Sequence, residues 1–231
     1  DETFAYYKKI ESDKIRIVYW SDEFNYSAIN NFAVREARGE YLLFLNNDVE
    51  IITESWLEEM LQLCQQKDVG MVGAKLYYPD DTIQHAGVVV GLGGVAAHVL
   101  CKLPRDAEGY MGRLRCVQEI SAVTAACMMV KTSVFKAVGG FDEELKVAFN
   151  DIDLCMKVRK YGVKIVFTPY AELYHYESKS RGLEDTPEKV ARFNKEIATF
   201  EKKWPEILKN GDPYYNPNLT LKSQDFSLKR I

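Results

Sequence analysis

The chain has 231 residues, of which 47% are hydrophobic and 12% aromatic, so it can bury the core of one large α/β domain but is short for two. Its 30 basic and 34 acidic residues give a formal charge of −4, which excludes a general attraction to nucleic acid or to anionic lipid. No stretch approaches the roughly 18 apolar residues of a membrane-spanning helix. Membrane association is therefore expected only through a partner, a lipid substrate or a part of a longer protein.

The number and spacing of the cysteines indicate whether the protein works in a reducing or an oxidising compartment. There are five of them, an odd number, and no two are arranged as a CxxC pair. This pattern favours reduced thiols in a cytosolic protein over a disulfide framework or a zinc site.

Apolar periodicity predicts alternating helices and strands along the chain. In the first half the predicted elements are a helix over 1–11, a strand over 15–20, a helix over 27–38, a strand over 41–45, a helix begun by a capping box at Ser55 and running to Gln66, a strand over 69–76 and a hairpin arm over 83–92. In the second half they are a strand over 120–130, a short helix capped by Ser133, a helix over 151–161, strands over 164–168 and 171–174, and an amphipathic helix over 187–204. The segment 91–115 has no periodicity and is expected to form a long loop over an active site.

The strand predicted over 41–45 organises the rest of the chain. Its unbroken apolar run is typical of a buried parallel strand, and it stops at Asn46, Asn47 and Asp48. In open α/β sheets ligands bind beyond the carboxyl ends of the strands, so this cluster is placed to hold a hydrated cation and the phosphates that the cation carries. The alternative interpretation is a polar turn that precedes a helix.

A second polar cluster, Asn150-Asp151-Ile152-Asp153, stands at the start of a predicted helix. Asp151 and Asp153 could simply be acids that complement the positive end of the helix dipole. The alternative is a general base, because a carboxylate fixed at a helix start and facing a cleft can take the proton of a substrate hydroxyl.

A third polar cluster begins at His175. A lone histidine is most often an ordinary surface or core residue, but this one is followed by Ser178 and Arg181. Hydroxyl and guanidinium groups suit a diphosphate, and the imidazole can ligate a divalent ion. His85 and His98 lack such neighbours and are interpreted as structural.

Several runs of this sequence resemble the family 2 glycosyltransferases in both order and spacing. The runs that carry the resemblance are 24–31, 39–48, 139–143 and 150–154. The segment 175–182 and the tail 212–219 are similar to bacterial members that build O-antigen, rhamnan and other cell-surface polysaccharides. The resemblance covers nearly the whole chain.

The resemblance implies an α/β GT-A fold, with a mostly parallel mixed sheet flanked by helices. It also implies a hexosyltransferase that moves a sugar, with inversion, from a nucleotide diphosphate sugar to a hydroxyl of a glycan or lipid-linked acceptor. Asp48 would hold Mn²⁺ or Mg²⁺ at the family's DxD position, where Asn46 replaces the first acid. The predicted donor-binding residues are Asn46, Asn47, Asp48, His175, Ser178 and Arg181.

The resemblance to the family also implies catalytic roles for three residues. Asp151 matches the family's catalytic base, and Asp153 would position either the acceptor or Asp151. His175 would be a second metal ligand and, with the metal, would stabilise the leaving diphosphate. The resemblance also places the chain in the cytoplasm, at the inner face of the membrane through its acceptor or a parent protein.

One departure from the family is that its first strand, and an acid that holds the nucleobase and ribose, have no match here. The GT-A domain is therefore expected over 1–210 without its first strand, with an irregular tail over 211–231 packed on it. The strand over 41–45 would then have a free apolar edge, through which two copies could pair as a homodimer.

Two other functions stay open at this point. Without the first strand, the chain could be an inactive module that only binds a glycan or a partner chain. A sugar nucleotidyltransferase uses a similar sheet and acidic metal site, but it has no need of an acceptor base at a helix start or of His175 with Arg181.

Overall fold

A computed structural model describes residues 2–177 and 186–230 of the chain. In this part the α-helices are α1 (Glu2–Ile10), α2 (Tyr26–Glu36), α3 (Trp56–Cys64), α4 (Thr132–Ala137), α5 (Asn150–Tyr161), α6 (Pro187–Lys203) and α7 (Pro205–Asn210). The first six confirm the predicted helices to within two residues at each end, and α7 was not predicted. None of the helices described is both long and apolar enough to cross a membrane.

The strands form one mixed sheet and a separate hairpin. They are β1 (Tyr41–Leu45), β2 (Val49–Ile51), β3 (Val69–Tyr77), β4 (Ile83–His85), β5 (Val88–Val90), β6 (Ala96–His98), β7 (Gln118–Glu119), β8 (Cys127–Lys131) and β9 (Lys164–His175). The main sheet has the order β1-β8-β3-β9-β2, with β4 beside β3 and β7 beside β9. β5 and β6 make the hairpin.

The sheet is less parallel than the sequence suggested. Within the described residues only β3 and β9 pair in parallel, so the expectation of a mostly parallel sheet is wrong. β1 was predicted to be a parallel strand but runs antiparallel to β8, with Leu43 opposite Met129. Its other edge has no partner strand in the part of the chain that the structure describes. The direction of pairing depends on the neighbouring strand, which a local apolar run does not encode.

Five local predictions are also wrong. Residues 15–20 form no strand, and the side chains of Ser55 and Ser133 do not cap α3 and α4. Of the strand predicted over 120–130, only the part from Cys127 onward forms, as β8. The two strands predicted over 164–168 and 171–174 are one strand, because β9 continues through Pro169 where the register with β3 is irregular, and a missing N–H is tolerated at such a place.

Apolar layers cover both faces of the main sheet. On one face α3 buries Met60, and on the other face the rings of Phe44 and Phe141 meet edge to face with centroids 5.0 Å apart. Gly73 of β3 permits a close approach between layers, since a Cβ placed there would lie 2.3 Å from Cγ1 of Val123. A residue without a Cβ is therefore needed at this position.

Residues 211–230 contain no helix or strand, but they are tied to the core at Asp212. The carboxylate of this buried residue accepts hydrogen bonds from the N–H of Val90 at 2.8 Å and from the hydroxyl of Ser121 at 2.6 Å. Both partners belong to the central part of the fold, so the tail is anchored at its start.

The segment 91–115 is braced by this tail. The N–H of Gly93 donates to the carbonyl of Leu221 at 2.9 Å. The ring of Tyr110 stacks on that of Phe226, with centroids 5.0 Å apart and planes 5° from parallel. A segment without sequence periodicity is therefore held in place by contacts from a distant part of the chain.

Candidate active site

A cavity of about 450 Å³ opens where β1 ends and α5 begins. It brings together Asp48, Asp151 and His175, which are far apart in the sequence. No residue of 91–115 lines it, so the expectation that this segment covers the site is wrong. The lining residues are Phe24, Tyr26, Asn46, Asn47, Asp48, Thr124, Ala125, Ala126, Val147, Asn150, Asp151, His175 and Glu177.

The pairing of β2 with the end of β9 places Asp48 beside His175. Val49 is opposite His175 in this ladder, and the N–H of Tyr176 donates to the carbonyl of Asp48 at 2.8 Å. The turn after β1 and the last residue of β9 therefore lie side by side. As a result, Nε2 of His175 is 3.2 Å from Oδ1 of Asp48.

The geometry of this pair fits a divalent cation. Oδ1 of Asp48 is buried and has no hydrogen-bond partner among the described residues. Adjacent ligands of an octahedral cation with bonds of about 2.1 Å lie about 3.0 Å apart, close to the observed separation of the two atoms. The carboxylate suits Mn²⁺ or Mg²⁺, and the imidazole is a ligand that a transition metal such as Mn²⁺ accepts more readily than Mg²⁺ does.

The remaining ligands would come from water and from a bound substrate. Among residues 2–177 and 186–230, no group of three or more His, Cys, Asp or Glu side chains could hold a metal ion by itself. Asn46 supports the pair, because its Nδ2 lies 3.1 Å from Nε2 of His175 and can donate to it. Magnesium in particular is commonly held by one or two carboxylates together with substrate phosphates.

Asp151 is fixed at the wall of the cavity by the first turn of α5. The residue before that helix, Phe149, has a left-handed backbone with φ of 60°. The Asp151 carboxylate accepts hydrogen bonds from the N–H of Ala125 at 3.1 Å and from that of Ile152 at 2.8 Å. Each oxygen keeps a second lone pair, so the group can still accept a proton from a bound hydroxyl.

Tyr26 and Glu177 also line the cavity, although the sequence patterns gave them no role. The hydroxyl of Tyr26 donates to the carbonyl of Ala125 at 3.2 Å. Burial, and after it the negative charge of Asp151, raises the pKa of Tyr26 above its ordinary value, so the hydroxyl stays protonated at neutral pH. Glu177 lies within the third polar cluster, but no spacing rule distinguishes it there.

Asp153 does not line the cavity, and its side chain is fully buried. It lies 2.6 Å from the ammonium of Lys203 and 3.3 Å from that of Lys157, and it accepts a hydrogen bond from the indole N–H of Trp204 at 2.8 Å. Burial alone would lower the pKa of Lys203, but hydrogen bonds to Asp142 and Asp153 outweigh it and raise the pKa. This placement does not support the catalytic role predicted for Asp153, and we assign it to anchoring α6 and α7.

The predicted donor-binding residues divide into two groups. Asn46, Asn47 and Asp48 line the cavity together with His175. Ser178 and Arg181 lie outside the described residues.

A carboxylate on α6 supports the turn that presents Asp151. Glu196 is buried and accepts hydrogen bonds from the N–H groups of Val147 and Ala148, both at 3.0 Å. We expect Glu196→Gln to lower the free energy of unfolding by about 2 kcal/mol, because an amide cannot accept from both N–H groups. Urea unfolding measures the change.

The matched control for this variant is Glu188→Gln. Glu188 is an exposed acid in the first turn of the same helix, so the substitution should leave the free energy of unfolding within about 0.5 kcal/mol of the parent. Equal losses in the two variants would contradict the role given to Glu196.

The sequence matches the profile of a family described as "Glycosyltransferase like family" over residues 6–196, and the chain belongs to this family. It is 53% identical over 230 residues to the uncharacterised protein y4gI of Sinorhizobium fredii, covering 98% of the chain and 25% of that protein. It is 40% identical over 230 residues to the O-antigen biosynthesis protein RfbC of Myxococcus xanthus, covering 99% of the chain and 18% of that protein. The chain thus spans a quarter or less of the length of these relatives.

The fold is the GT-A fold of glycosyltransferases. A crystal structure of GalNAc-T7 with UDP, GalNAc and Mn²⁺ superposes with a TM-score of 0.67 at 12% identity, covering 90% of this chain and 40% of that one. At this low identity the likeness concerns the fold alone. It confirms the α/β architecture and the fold that the resemblance implied.

Proposed function

We propose that this chain is the donor-binding and catalytic domain of an inverting glycosyltransferase in surface polysaccharide synthesis. Its donor is a nucleotide diphosphate sugar, and its acceptor is a hydroxyl of a glycan or a lipid-linked sugar. The observation that carries the proposal is the cavity in which Asp48, His175 and Asp151 meet. Similarity to a protein named for O-antigen biosynthesis supports the polysaccharide pathway.

Asp48 and His175 would hold Mn²⁺ or Mg²⁺ through the two atoms that lie 3.2 Å apart. When bound, the cation supplies positive charge that stabilises the leaving diphosphate. Asn46 and Asn47 offer amide groups to the phosphate oxygens. The presence of UDP and Mn²⁺ in the GalNAc-T7 structure is consistent with this proposal.

Asp151 acts as the general base in this mechanism. Its carboxylate takes the proton of the acceptor hydroxyl as that oxygen attacks the anomeric carbon. The new carbon–oxygen bond forms on the face opposite the breaking bond to the diphosphate, so the configuration inverts. The two backbone hydrogen bonds to the Asp151 carboxylate hold it in one orientation, as a general base requires, and because the acceptor attacks directly this mechanism needs no covalent enzyme intermediate.

A transfer assay tests the proposal. A panel of nucleotide diphosphate sugars is incubated with Mn²⁺, simple glycan acceptors and either the 231-residue chain or a longer protein that contains it. We expect sugar transfer, or slow donor hydrolysis, with at least one donor. Glycan binding without turnover in both proteins would favour the alternative of a non-catalytic binding module, and formation of a nucleotide sugar from a sugar phosphate would favour the nucleotidyltransferase.

We also propose that the isolated chain self-associates through the free edge of β1. That edge leaves backbone donors and acceptors without a strand partner in the described part of the chain, and Leu45 at its end is exposed. Sedimentation velocity at micromolar concentration is expected to give a dimer or larger species. A stable monomer would contradict this proposal.

The location of the protein at the inner face of the membrane stays a prediction.

A further inference from the structure

Gln84 of β4 contacts His175 from the side away from Asp48. Its side chain is buried, with 4% of its surface exposed. Oε1 of Gln84 lies 2.8 Å from Nδ1 of His175. Nε2 of Gln84 lies 3.2 Å from the carbonyl oxygen of His175 and 3.3 Å from Oε2 of Glu177.

These contacts determine how the amide is oriented. The carbonyl of His175 and the carboxylate of Glu177 are both acceptors, so the NH₂ end of Gln84 must face them. Oε1 is then the atom that faces the imidazole. Because an amide oxygen only accepts hydrogen bonds, Nδ1 of His175 must carry the proton.

The orientation of the amide has a consequence on the other side of the ring. With the proton on Nδ1, Nε2 of a neutral His175 is the acceptor end of the ring, 3.2 Å from Oδ1 of Asp48, and its lone pair can either accept from Nδ2 of Asn46 or bind a cation. In the opposite tautomer Nδ1 and Oε1 would be two acceptors 2.8 Å apart, and an N–H would occupy the position of the metal ligand.

We propose that Gln84 is a positioning residue that holds His175 in the Nδ1–H tautomer and so presents Nε2 to a divalent cation shared with Asp48. The cation part rests on the proposed function, whereas the tautomer is a property of the protein alone. Partners of this kind fix the ring orientation and the basicity of metal-binding histidines, and their loss commonly costs 10- to 100-fold in metal affinity.

Nitrogen-15 NMR of the imidazole rings tests the tautomer without any metal. The chain has three histidines, so the signals of His175 can be assigned by comparison with His175→Asn. Spectra recorded at pH 8 are expected to show the single proton of the His175 ring on Nδ1 in the parent protein. Gln84→Met keeps the side-chain volume but removes the acceptor, and it should shift the ring toward the Nε2–H form.

The variant Gln84→Glu distinguishes the loss of the hydrogen-bond acceptor from an effect of altered side-chain packing. A carboxylate can still accept from Nδ1 although it cannot donate to Glu177, so this variant should keep the Nδ1–H tautomer that Gln84→Met loses. Gln118→Met makes the same chemical change in β7, where the glutamine donates to the carbonyl of Arg113 and does not line the cavity. It should leave the His175 signals unchanged.

Titration with Mn²⁺ alone, followed by the EPR signal of the free ion, tests the cation part. We expect Gln84→Met to weaken Mn²⁺ binding about tenfold and Gln118→Met to leave it unchanged. A parent protein with the Nε2–H tautomer, or a Gln84→Met ring identical to the parent, overturns the positioning role. A changed tautomer with unchanged Mn²⁺ affinity overturns the link to the cation, while sugar transfer by the parent would still support the proposed function.

Discussion

Asp151→Asn is expected to lower turnover about a hundredfold or more while donor binding stays nearly unchanged. The substitution keeps the shape of the side chain, and Oδ1 can still accept from a backbone N–H, but an amide cannot take the proton of an acceptor hydroxyl. Turnover is measured by sugar transfer in the form of the protein that is active, and donor binding is measured by calorimetry. Near-normal turnover would mean that another group is the base.

Asp153→Asn on the same helix is the matched control. It removes one charge from a buried cluster and leaves Lys157 and Lys203 without their shared carboxylate, so we expect a loss of about 3 kcal/mol in the free energy of unfolding. Turnover per folded molecule should change little, because this side chain does not reach the cavity. The two variants therefore separate a chemical role from a structural one.

Asp48→Ala is expected to abolish the part of nucleotide diphosphate binding that depends on Mn²⁺. The substitution removes the buried oxygen beside His175 and leaves one protein ligand for the cation. Calorimetry with UDP and GDP, each with Mn²⁺ and with EDTA, measures the effect. In the parent protein EDTA should weaken binding, and in the variant EDTA should make no difference.

The control for this experiment is Asp13→Ala. Asp13 is an exposed acid in the turn after α1 that does not line the cavity. Its replacement changes the net charge by the same amount, so it should reproduce the parent's dependence on Mn²⁺. If Asp48→Ala binds nucleotide with Mn²⁺ as tightly as the parent does, the metal site lies elsewhere.

Local patterns in the sequence predicted most of the elements but not how they pair. The five apolar residues of β1 indicate a strand, yet only Leu42 and Phe44 are buried and their neighbours are partly covered or exposed. The antiparallel partner is β8, more than 80 residues away, and no local signal specifies it. The prediction of two strands over 164–168 and 171–174 failed for the same reason, since the bulge that tolerates Pro169 within β9 depends on the register with β3.

For the site residues, too, the sequence identified candidates but not which of them reach the cavity. Asp151 and Asp153 are two positions apart on α5, and side chains with that spacing do not face the same side of a helix. One therefore reaches the cavity while the other is buried among lysines of α5 and α6. Sequence spacing also could not reveal Gln84, because its contact with His175 joins residues 91 positions apart.

The brace between the tail and the segment 91–115 has a consequence for the order of folding. Gly93 and Leu100 donate to the carbonyls of Leu221 and Gln224, so these contacts close loops of more than 120 residues. On the ribosome the segment is synthesised long before its partners, and it cannot reach its final arrangement until residues 221–224 emerge.

The same segment reaches β4, since the N–H of Ile83 donates to the carbonyl of Leu103 and the N–H of Lys102 donates to the carbonyl of Ile83. Gln84 follows directly in that strand. The support for His175 is thus completed only after residues 221–224 have been synthesised, and a nascent domain that already has its sheet would acquire a fully ordered site only when they have emerged.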